Sequence, residues 1–474
     1  MITRKKMRAR ECCGIVAINS KSSIAKKIFF GLKVIQHRGQ EAAGIAVAKD
    51  MKITCVKSSG LVHEVFDKDT LERLEGNVGI GHVRYSTTGV KTADEAHPIT
   101  ATTSNGDIAI CHNGEFVNAE RVALEKKLSG YEGETDTEIL ARILVKELDT
   151  TSDPTRAISR TLSKLRGAYS LAILVGDRLF AARDPHGIRP LCLGRMKEGH
   201  VVASETPILD LLEAEFIRDL KPGEIVEVGN DLAKSFEMAR PEHTGHCMFE
   251  YVYFSRPDNL LDGRLVYDVR KRIGQILARE NETNADLVVP VPDSGRAHAA
   301  GFADESGLPL VEGLIKNRFV ERTFILPEQR EREIGVLLKL NPIRSLVEDK
   351  KIVLVDDSII RGTTMKKIVN ILKKAGTGKV HVRVGCPPIR HPCYLGIDMK
   401  TRDQFVANDR SVEEIREEIG ADSLAYVSLE GLVEAIDYPK EELCLGCLTG
   451  EYPVEIDGEK LRRRERLEDF TEKG

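Results

Sequence analysis

Lys351-Ile352-Val353-Leu354-Val355-Asp356-Asp357-Ser358-Ile359-Ile360-Arg361-Gly362-Thr363-Thr364 is the stretch whose reading decides the fold. Ile352 to Val355 are apolar and mostly β-branched, which reads as a buried parallel strand. The strand ends on two carboxylates and a short polar loop follows. Met365, Ile368, Val369 and Leu372 then recur at helical spacing, with Gly376 as the expected stop. Strand, acidic tip, loop and helix make one unit of an open α/β sheet, where ligands sit at the carboxyl ends of the strands. Backbone N–H groups at the helix start favour an anion.

Carboxylates beside an anion loop are compatible if the ligand is a sugar phosphate with hydroxyls and a hydrated Mg²⁺. The pattern alone equally fits a plain strand end with an Asp-Ser turn and a capped helix. The run Asp356-Asp357-Ser358-Ile359-Ile360-Arg361-Gly362-Thr363-Thr364 resembles the phosphoribosyl pyrophosphate (PRPP) loop of the phosphoribosyltransferases. The resemblance implies PRPP contacts from Asp356, Asp357, Ser358, Arg361, Gly362, Thr363 and Thr364, with Asp356 and Asp357 near Mg²⁺.

A chain of 474 residues suggests more than one domain. With a formal charge of −4, there is no bulk electrostatic case for nucleic acid. No apolar run reaches the length of a membrane span. Met1 to Arg10 is basic but lacks the apolar core of a secretory signal, so a cytoplasmic enzyme is expected. In that compartment the ten cysteines read as thiols or metal ligands rather than disulfides.

Cys13-Gly14-Ile15-Val16-Ala17-Ile18 begins a β-like run after a polar leader. Gln36-His37-Arg38-Gly39-Gln40-Glu41, Gly81-His82-Val83-Arg84-Tyr85-Ser86-Thr87, Cys111-His112-Asn113-Gly114 and Gly133-Glu134-Thr135-Asp136-Thr137-Glu138 follow in order. Any one of these is a modest signal; Asn113-Gly114 alone would read as a hairpin turn. As an ordered set they resemble the class II glutamine amidotransferase domain, an N-terminal-nucleophile αββα fold, expected over residues 13–235. That family needs a nucleophile, a base and oxyanion donors. The resemblance implies Cys13 as nucleophile, with its own α-amine as base. It implies Asn113 and Gly114 as the oxyanion hole, Arg84 on the glutamine α-carboxylate and Asp136 on the α-ammonium. His37, His82 and His112 read as structural hydrogen-bonding groups. A free amine on Cys13 requires removal of residues 1–12 as a propeptide. Cys12 is not the nucleophile by this pattern, because Gly directly follows only Cys13.

The stretch from Asn230 to Thr244 reads as a linker, and residues 245–474 as the second domain. Leu287-Val288-Val289-Pro290-Val291-Pro292 is a further apolar strand, ending in Asp293-Ser294-Gly295-Arg296-Ala297. Small residues there fit a turn or a close approach to pyrophosphate. By resemblance this is the pyrophosphate loop, with Asp293, Ser294 and Gly295 on PRPP and the Ser294 hydroxyl near Mg²⁺. The basic segment 316–341 reads as solvated surface. By resemblance it is a flap closing over PRPP, with Arg318, Arg322 and Lys339 on phosphates.

Cys444-Leu445-Gly446-Cys447, together with Cys247 and Cys393, is open between zinc, an iron–sulfur cluster and coincidence. The surrounding Pro387-Pro388-Ile389 and Pro392-Cys393-Tyr394-Leu395-Gly396-Ile397-Asp398 resemble a cluster-bearing branch, which implies a 4Fe–4S cluster on these four thiolates. Cys55, Cys111, Cys192 and Cys386 read as buried apolar residues.

Over nearly its full length the chain resembles the amidophosphoribosyltransferase family. The resemblance implies glutamine hydrolysis at Cys13 and transfer of ammonia through a closed passage to PRPP. It further implies purine nucleotide inhibitors and a homo-oligomer, a tetramer in relatives. Two alternatives remain in the residues: a glutamine amidotransferase with another acceptor, and a PRPP-sensing regulator. The first leaves the PRPP loop unexplained. The second leaves Cys13, Arg84, Asn113 and Asp136 without a role.

Overall fold

The computed structural model describes residues 13–85, 95–104, 106–131, 134–238, 241–317, 340–399, 402 and 405–456. The expected propeptide with Cys12, the motif residues Ser86, Thr87 and Gly133, and the flap residues Arg318, Arg322 and Lys339 lie outside the described residues.

The first half supplies thirteen strands: β1 (Gly14–Ser20), β2 (Ala42–Lys49), β3 (Lys52–Ser59), β4 (Val78–Arg84), β5 (Ile99–Thr103), β6 (Gly106–Phe116), β7 (Gly167–Val175), β8 (Arg178–Arg183), β9 (Cys192–Met196), β10 (Gly199–Ala203), β11 (Glu215–Asp219), β12 (Glu224–Val228) and β13 (Ala233–Glu237). They form a seven-stranded sheet in the order β11-β9-β10-β1-β4-β2-β3 and a six-stranded sheet in the order β13-β12-β8-β7-β6-β5. Small residues line the space between the sheets: Ala17, Ala46, Ala48, Ala109, Ala172 and Ala181, with Ile15, Ile80 and Leu174 filling the rest. Helix α1 (Ala25–Val34) packs Ile28 and Leu32 on the outside of the first sheet. Helix α2 (Asp136–Leu148) packs Ile139, Leu140, Ile143 and Leu144 on the outside of the second. The layers are therefore αββα.

Alternation along the strands decides what meets at the end of this sandwich. On β1, Ile15 and Ala17 face the inter-sheet core, and Cys13 precedes them on the same side. On β4, Val78 and Ile80 do so, followed by His82 and Arg84. On β6, Ala109 and Cys111 do so, followed by Asn113. Asn113 and Gly114 are thus not a turn. They lie inside β6, opposite Ser170 and Tyr169 of β7. The turn signal there is overridden by the continuous ladder with β7, which runs from Ile108 to Phe116. β13 runs to Glu237, two residues past the expected domain end, because Ala233 to Glu237 pair with β12.

The second half contains β14 (His246–Cys247), a π-helical turn at Glu250–Phe254, helix α3 (Val266–Glu280), β15 (Leu287–Pro290), helix α4 (Arg296–Ser306), β16 (Lys351–Asp356), helix α5 (Thr363–Lys374), β17 (Lys379–Val384), β18 (Ser423–Tyr426) and β19 (Leu443–Cys444). Strands β15 to β18 form a parallel sheet in sequence order. The expected strand is β16, and its apolar core is fully buried on both faces. Ile352 and Leu354 meet Ile368 and Leu372 of α5. Val353 and Val355 lie in the cluster that holds Ile273 of α3 and Phe302 of α4. A parallel sheet needs helices on both faces, which is why this strand reads as a continuous apolar run rather than an alternating one. Helix α5 ends before Gly376, whose φ of 90° suits a residue without Cβ.

The two halves are not merely linked. Val117, Ala168 and Ile188 of the first pack in one apolar cluster with Phe249, Val252 and Leu395 of the second.

Candidate functional site

At the mouth of the sandwich the Cys13 thiol is half-buried, and its Sγ lies 3.7 Å from the carbonyl oxygen of Tyr85. Burial pushes this thiol up, and the Arg84 and Arg189 cations pull it partly back. An internal Cys13 is therefore a poor thiolate, consistent with a need for a nearby base. Asn113 is 1% exposed, and among the described residues neither its Oδ1 nor its Nδ2 has a partner. A buried amide with open valences costs stability unless a ligand completes it. Gly114 has a φ of 147°, and a Cβ there would meet the Ala168 oxygen at 1.9 Å.

Asp136 is the first residue of α2. Thr135 caps the helix, with Glu138 closing the box. The Asp136 carboxylate accepts the Phe116 N–H at 2.9 Å, which ties it to the end of β6. Arg84 is not free for a carboxylate alone. It pairs with Glu95 at 2.9 Å, a partner the motif did not announce.

In the second half, the loops after β15 and β16 stand side by side. Val291 N–H donates to Val355 O at 2.8 Å, and a Cβ on Gly295 would meet the same oxygen at 2.5 Å. Only glycine allows that approach. Asp293 forms an ion pair with Lys316 at 2.9 Å. Asp357 is nearly fully buried and accepts the Ser358 hydroxyl at 2.6 Å, while its own N–H donates to Asp356 Oδ1 at 3.0 Å. Gly362, with a φ of 70°, starts α5, so the N–H groups of Thr363 and Thr364 open toward the same sheet end. The two loops thus meet at one acidic strand tip.

A buried ionic network joins the two halves. Arg38 donates to Glu250 Oε2 at 2.6 Å and Oε1 at 3.2 Å, to the Ser255 hydroxyl at 3.1 Å, and to Glu205. Arg189 approaches Glu250 at 3.6 Å and donates to the Leu395 carbonyl. Burial works against the Glu205 carboxylate, but Arg38, the His37 ring and the Arg256 N–H hold it down at about 2. Arg270 of α3 donates to the carbonyls of Tyr251 and Ser255 at 2.8 and 2.7 Å; burial lowers it to about 10, and the Asp357 carboxylate works against that. Arg38 was legible only as part of a motif. The one signal for its partner was a lone acid, Glu250, inside the apolar run Met248 to Phe254.

All nine described cysteines are free thiols. Cys247 and Cys444 are paired residues of β14 and β19. The N–H groups of Arg390 and His391 donate to the Cys447 carbonyl, which brings the Cys393 segment to the same place. Leu395 N–H lies 3.4 Å from Cys393 Sγ. Burial pushes Cys247 up to about 11; it also raises Cys447, helped by the neighbouring Cys386, Cys393, Cys444 and Cys247. Among the described residues no three such side chains converge on a single metal ion. Cys111, Cys192 and Cys386 are buried; Cys55 is only half-buried, since β3 lies at a sheet edge.

Residues 82–211 match a glutamine amidotransferase domain, and residues 257–398 match a phosphoribosyl transferase domain. The curated amidophosphoribosyltransferase of Methanocaldococcus jannaschii is 50% identical over 472 residues, covering 96% of this chain and 100% of that protein. That of Methanothermobacter thermautotrophicus is 48% identical, covering 94% of this chain and 95% of its own. The solved structure of glutamine PRPP amidotransferase from B. subtilis complexed with ADP and GMP matches with a TM-score of 0.88 at 42% identity, covering 94% of this chain and 98% of that one. With two matching domains in the same order and relatives aligned end to end, the chain belongs to the amidophosphoribosyltransferase family.

Proposed function

We propose a residue-level course for the family's reaction. The overall conversion takes glutamine and PRPP to 5-phosphoribosylamine, pyrophosphate and glutamate, the first step of purine biosynthesis. In residues 13–235, Cys13 attacks the glutamine amide once residues 1–12 are removed, and its freed α-amine takes the thiol proton. An α-amine titrates near ~8, close enough to neutral pH for the task. The open Asn113 amide and the Gly114 N–H receive the oxyanion. Arg84 reads the α-carboxylate while keeping Glu95, since guanidinium has donors for both. Asp136 reads the α-ammonium. Ammonia leaves as the thioester forms, and water hydrolyses the thioester.

In residues 245–474, Asp293, Ser294 and Gly295 hold the pyrophosphate, and the Asp293 to Lys316 pair opens to share that cation with it. Asp356 and Asp357 take the ribose hydroxyls, and Ser358, Arg361, Gly362, Thr363 and Thr364 surround the 5-phosphate. Ser294, Asp356 and Asp357 would hold Mg²⁺, which neutralises charge on the leaving pyrophosphate. Ammonia then displaces pyrophosphate at the anomeric carbon. Cys247, Cys393, Cys444 and Cys447 would hold a 4Fe–4S cluster that staples three chain segments. The nucleotides in the B. subtilis complex support purine nucleotides as inhibitors. A homo-oligomer, a tetramer in relatives, and a cytoplasmic location complete the reading; no described helix is long and apolar enough to cross a membrane.

The observation that supports this most is the buried Asn113 amide, without a partner among the described residues and facing the Cys13 side of the sandwich, in a chain that also carries the paired loops. The test is glutamine hydrolysis assayed with and without PRPP, with pyrophosphate followed alongside. The expected result is glutamate and pyrophosphate in equal amounts. Hydrolysis without PRPP-linked pyrophosphate would overturn it. A Cys13→Ala protein should lose glutamine use yet keep ammonia-dependent synthesis.

A further inference from the structure

Two histidines outside the catalytic set grip the strand that carries Asn113 and Gly114. β6 pairs with β7 along one edge as far as Phe116. On its other edge, pairing with β5 stops at Ile99 opposite Ile110. Beyond that point imidazoles do what a strand would do. The His112 N–H donates to His97 Nδ1 at 3.3 Å. The His112 carbonyl accepts from His82 Nε2 at 3.0 Å. Two residues further along the β5 register, His97 stands opposite His112, but it offers its ring rather than its backbone. His82 belongs to β4 in the facing sheet, so its bond also fixes the separation of the two sheets at the site mouth. The rings rest on each other, with centroids 4.5 Å apart.

The partners define the tautomers. His97 must carry no proton on Nδ1, because it accepts there. His82 must carry one on Nε2, because it donates there. Both rings are buried, and burial holds both below the usual imidazole range, so the neutral forms persist at neutral pH. The residue after the gripped peptide is Asn113.

We propose that His82 and His97 are positioning residues for glutamine hydrolysis: together they fix the His112 peptide, and through it the Asn113 side chain and the Gly114 N–H. The inference rests on Asn113 and Gly114 being the oxyanion donors. Oxyanion donors act only within a narrow range of distance, and losing one outright costs about 10² to 10³ in kcat. A loosened pair costs less, about 10- to 100-fold. The loss falls on the transition state, so kcat drops while KM for glutamine stays: Arg84 shares β4 with His82, but that strand is held by its ladders with β1 and β2, and Asp136 starts α2.

The experiment uses the full-length protein with glutamine-dependent and ammonia-dependent synthesis measured side by side. His97→Leu and His82→Leu are expected to lower kcat for glutamine about 10- to 100-fold, with KM within about twofold and ammonia-dependent synthesis unchanged. His97→Asn places an acceptor at the same bond distance from the backbone as Nδ1. His82→Gln places a donor where Nε2 stands. Each should recover kcat to within about threefold of the parent. Parent-like kcat in both Leu variants overturns the proposal. So does an equal loss of the two activities, or an Asn or Gln variant as impaired as its Leu counterpart, because each outcome reports packing alone. If His97→Leu fails to fold, His97→Gln replaces it: its amide overshoots the Nδ1 position, and parent-like kcat there again overturns the proposal. Asn113→Ala separates the two levels of the argument. Unchanged glutamine kcat in that variant removes the oxyanion assignment itself, whatever the histidines do.

Discussion

Gly396 of the second half lies directly against Gly114 of the first: a Cβ built on Gly396 would stand 2.8 Å from the Gly114 carbonyl carbon and 2.9 Å from its Cα. The proposed oxyanion glycine is thus confined between Ala168 on its own ladder partner and a backbone from the other domain. Gly396 lies three residues after Cys393, and Arg189 anchors the intervening Leu395 carbonyl. Gly396→Ala is expected to press on Gly114 and, at a φ of 100°, to strain its own backbone by about 1–3 kcal/mol. Glutamine-dependent synthesis should fall by more than about tenfold, and ammonia-dependent synthesis by less than about twofold. Rates from both nitrogen sources on one preparation check this.

The Arg38 guanidinium is wholly buried and is shared by Glu205 and Glu250. Arg38→Met leaves two buried carboxylates short of a cation, and breaking such a network costs about 3–5 kcal/mol. Combining it with Glu250→Gln should cost less than the sum of the single changes, because one of the two carboxylates short of a cation is gone. Urea unfolding of the single and double variants gives the coupling directly.

His82 and His298 are both pushed down to about 3, chiefly by burial, and His298 also by the Arg270 cation. Each is neutral when folded and takes up a proton on unfolding below about pH 6.5, the ordinary imidazole value. Their contribution to stability is therefore complete above that pH and declines as pH falls toward the folded value of about 3. Each adds up to about 1.4 kcal/mol per pH unit to that slope. His298→Met should flatten the stability profile between about pH 4 and 6 by roughly that amount. Unfolding measured across this range checks it; a slope equal to the parent's would contradict it.

Anaerobically prepared protein should contain iron and sulfide in about equal amounts, near four of each. Cys393→Ser and Cys444→Ser should reduce both together and lower the thermal midpoint, because β14, β19 and the Cys393 segment lose their common anchor. Stoichiometric zinc in place of iron would refute the cluster assignment.

Intact mass of active protein should correspond to a chain beginning at Cys13. An active protein that keeps Met1 or begins at Cys12 would remove the α-amine from the mechanism.

Local sequence determined a good deal. The run Ile352 to Val355 with Asp356 and Asp357 specified a buried parallel strand and its acidic tip, because a two-sided strand must be apolar throughout and a ligand-bearing end must not. The ordered motifs from Cys13 to Asp136 carried the resemblance to a glutamine amidotransferase domain, which the match over residues 82–211 bears out. Tertiary structure decided what motifs cannot encode. Asn113-Gly114 reads as a hairpin in isolation, yet it lies mid-strand because β7 supplies a continuous ladder. Glu95 beside Arg84, Glu250 beside Arg38, His97 beside His112 and Gly396 against Gly114 are contacts between residues 11 to 282 positions apart. Hydrogen bonds, ion pairs and close backbone approaches depend on distance in space, and no pattern within one segment carries that distance.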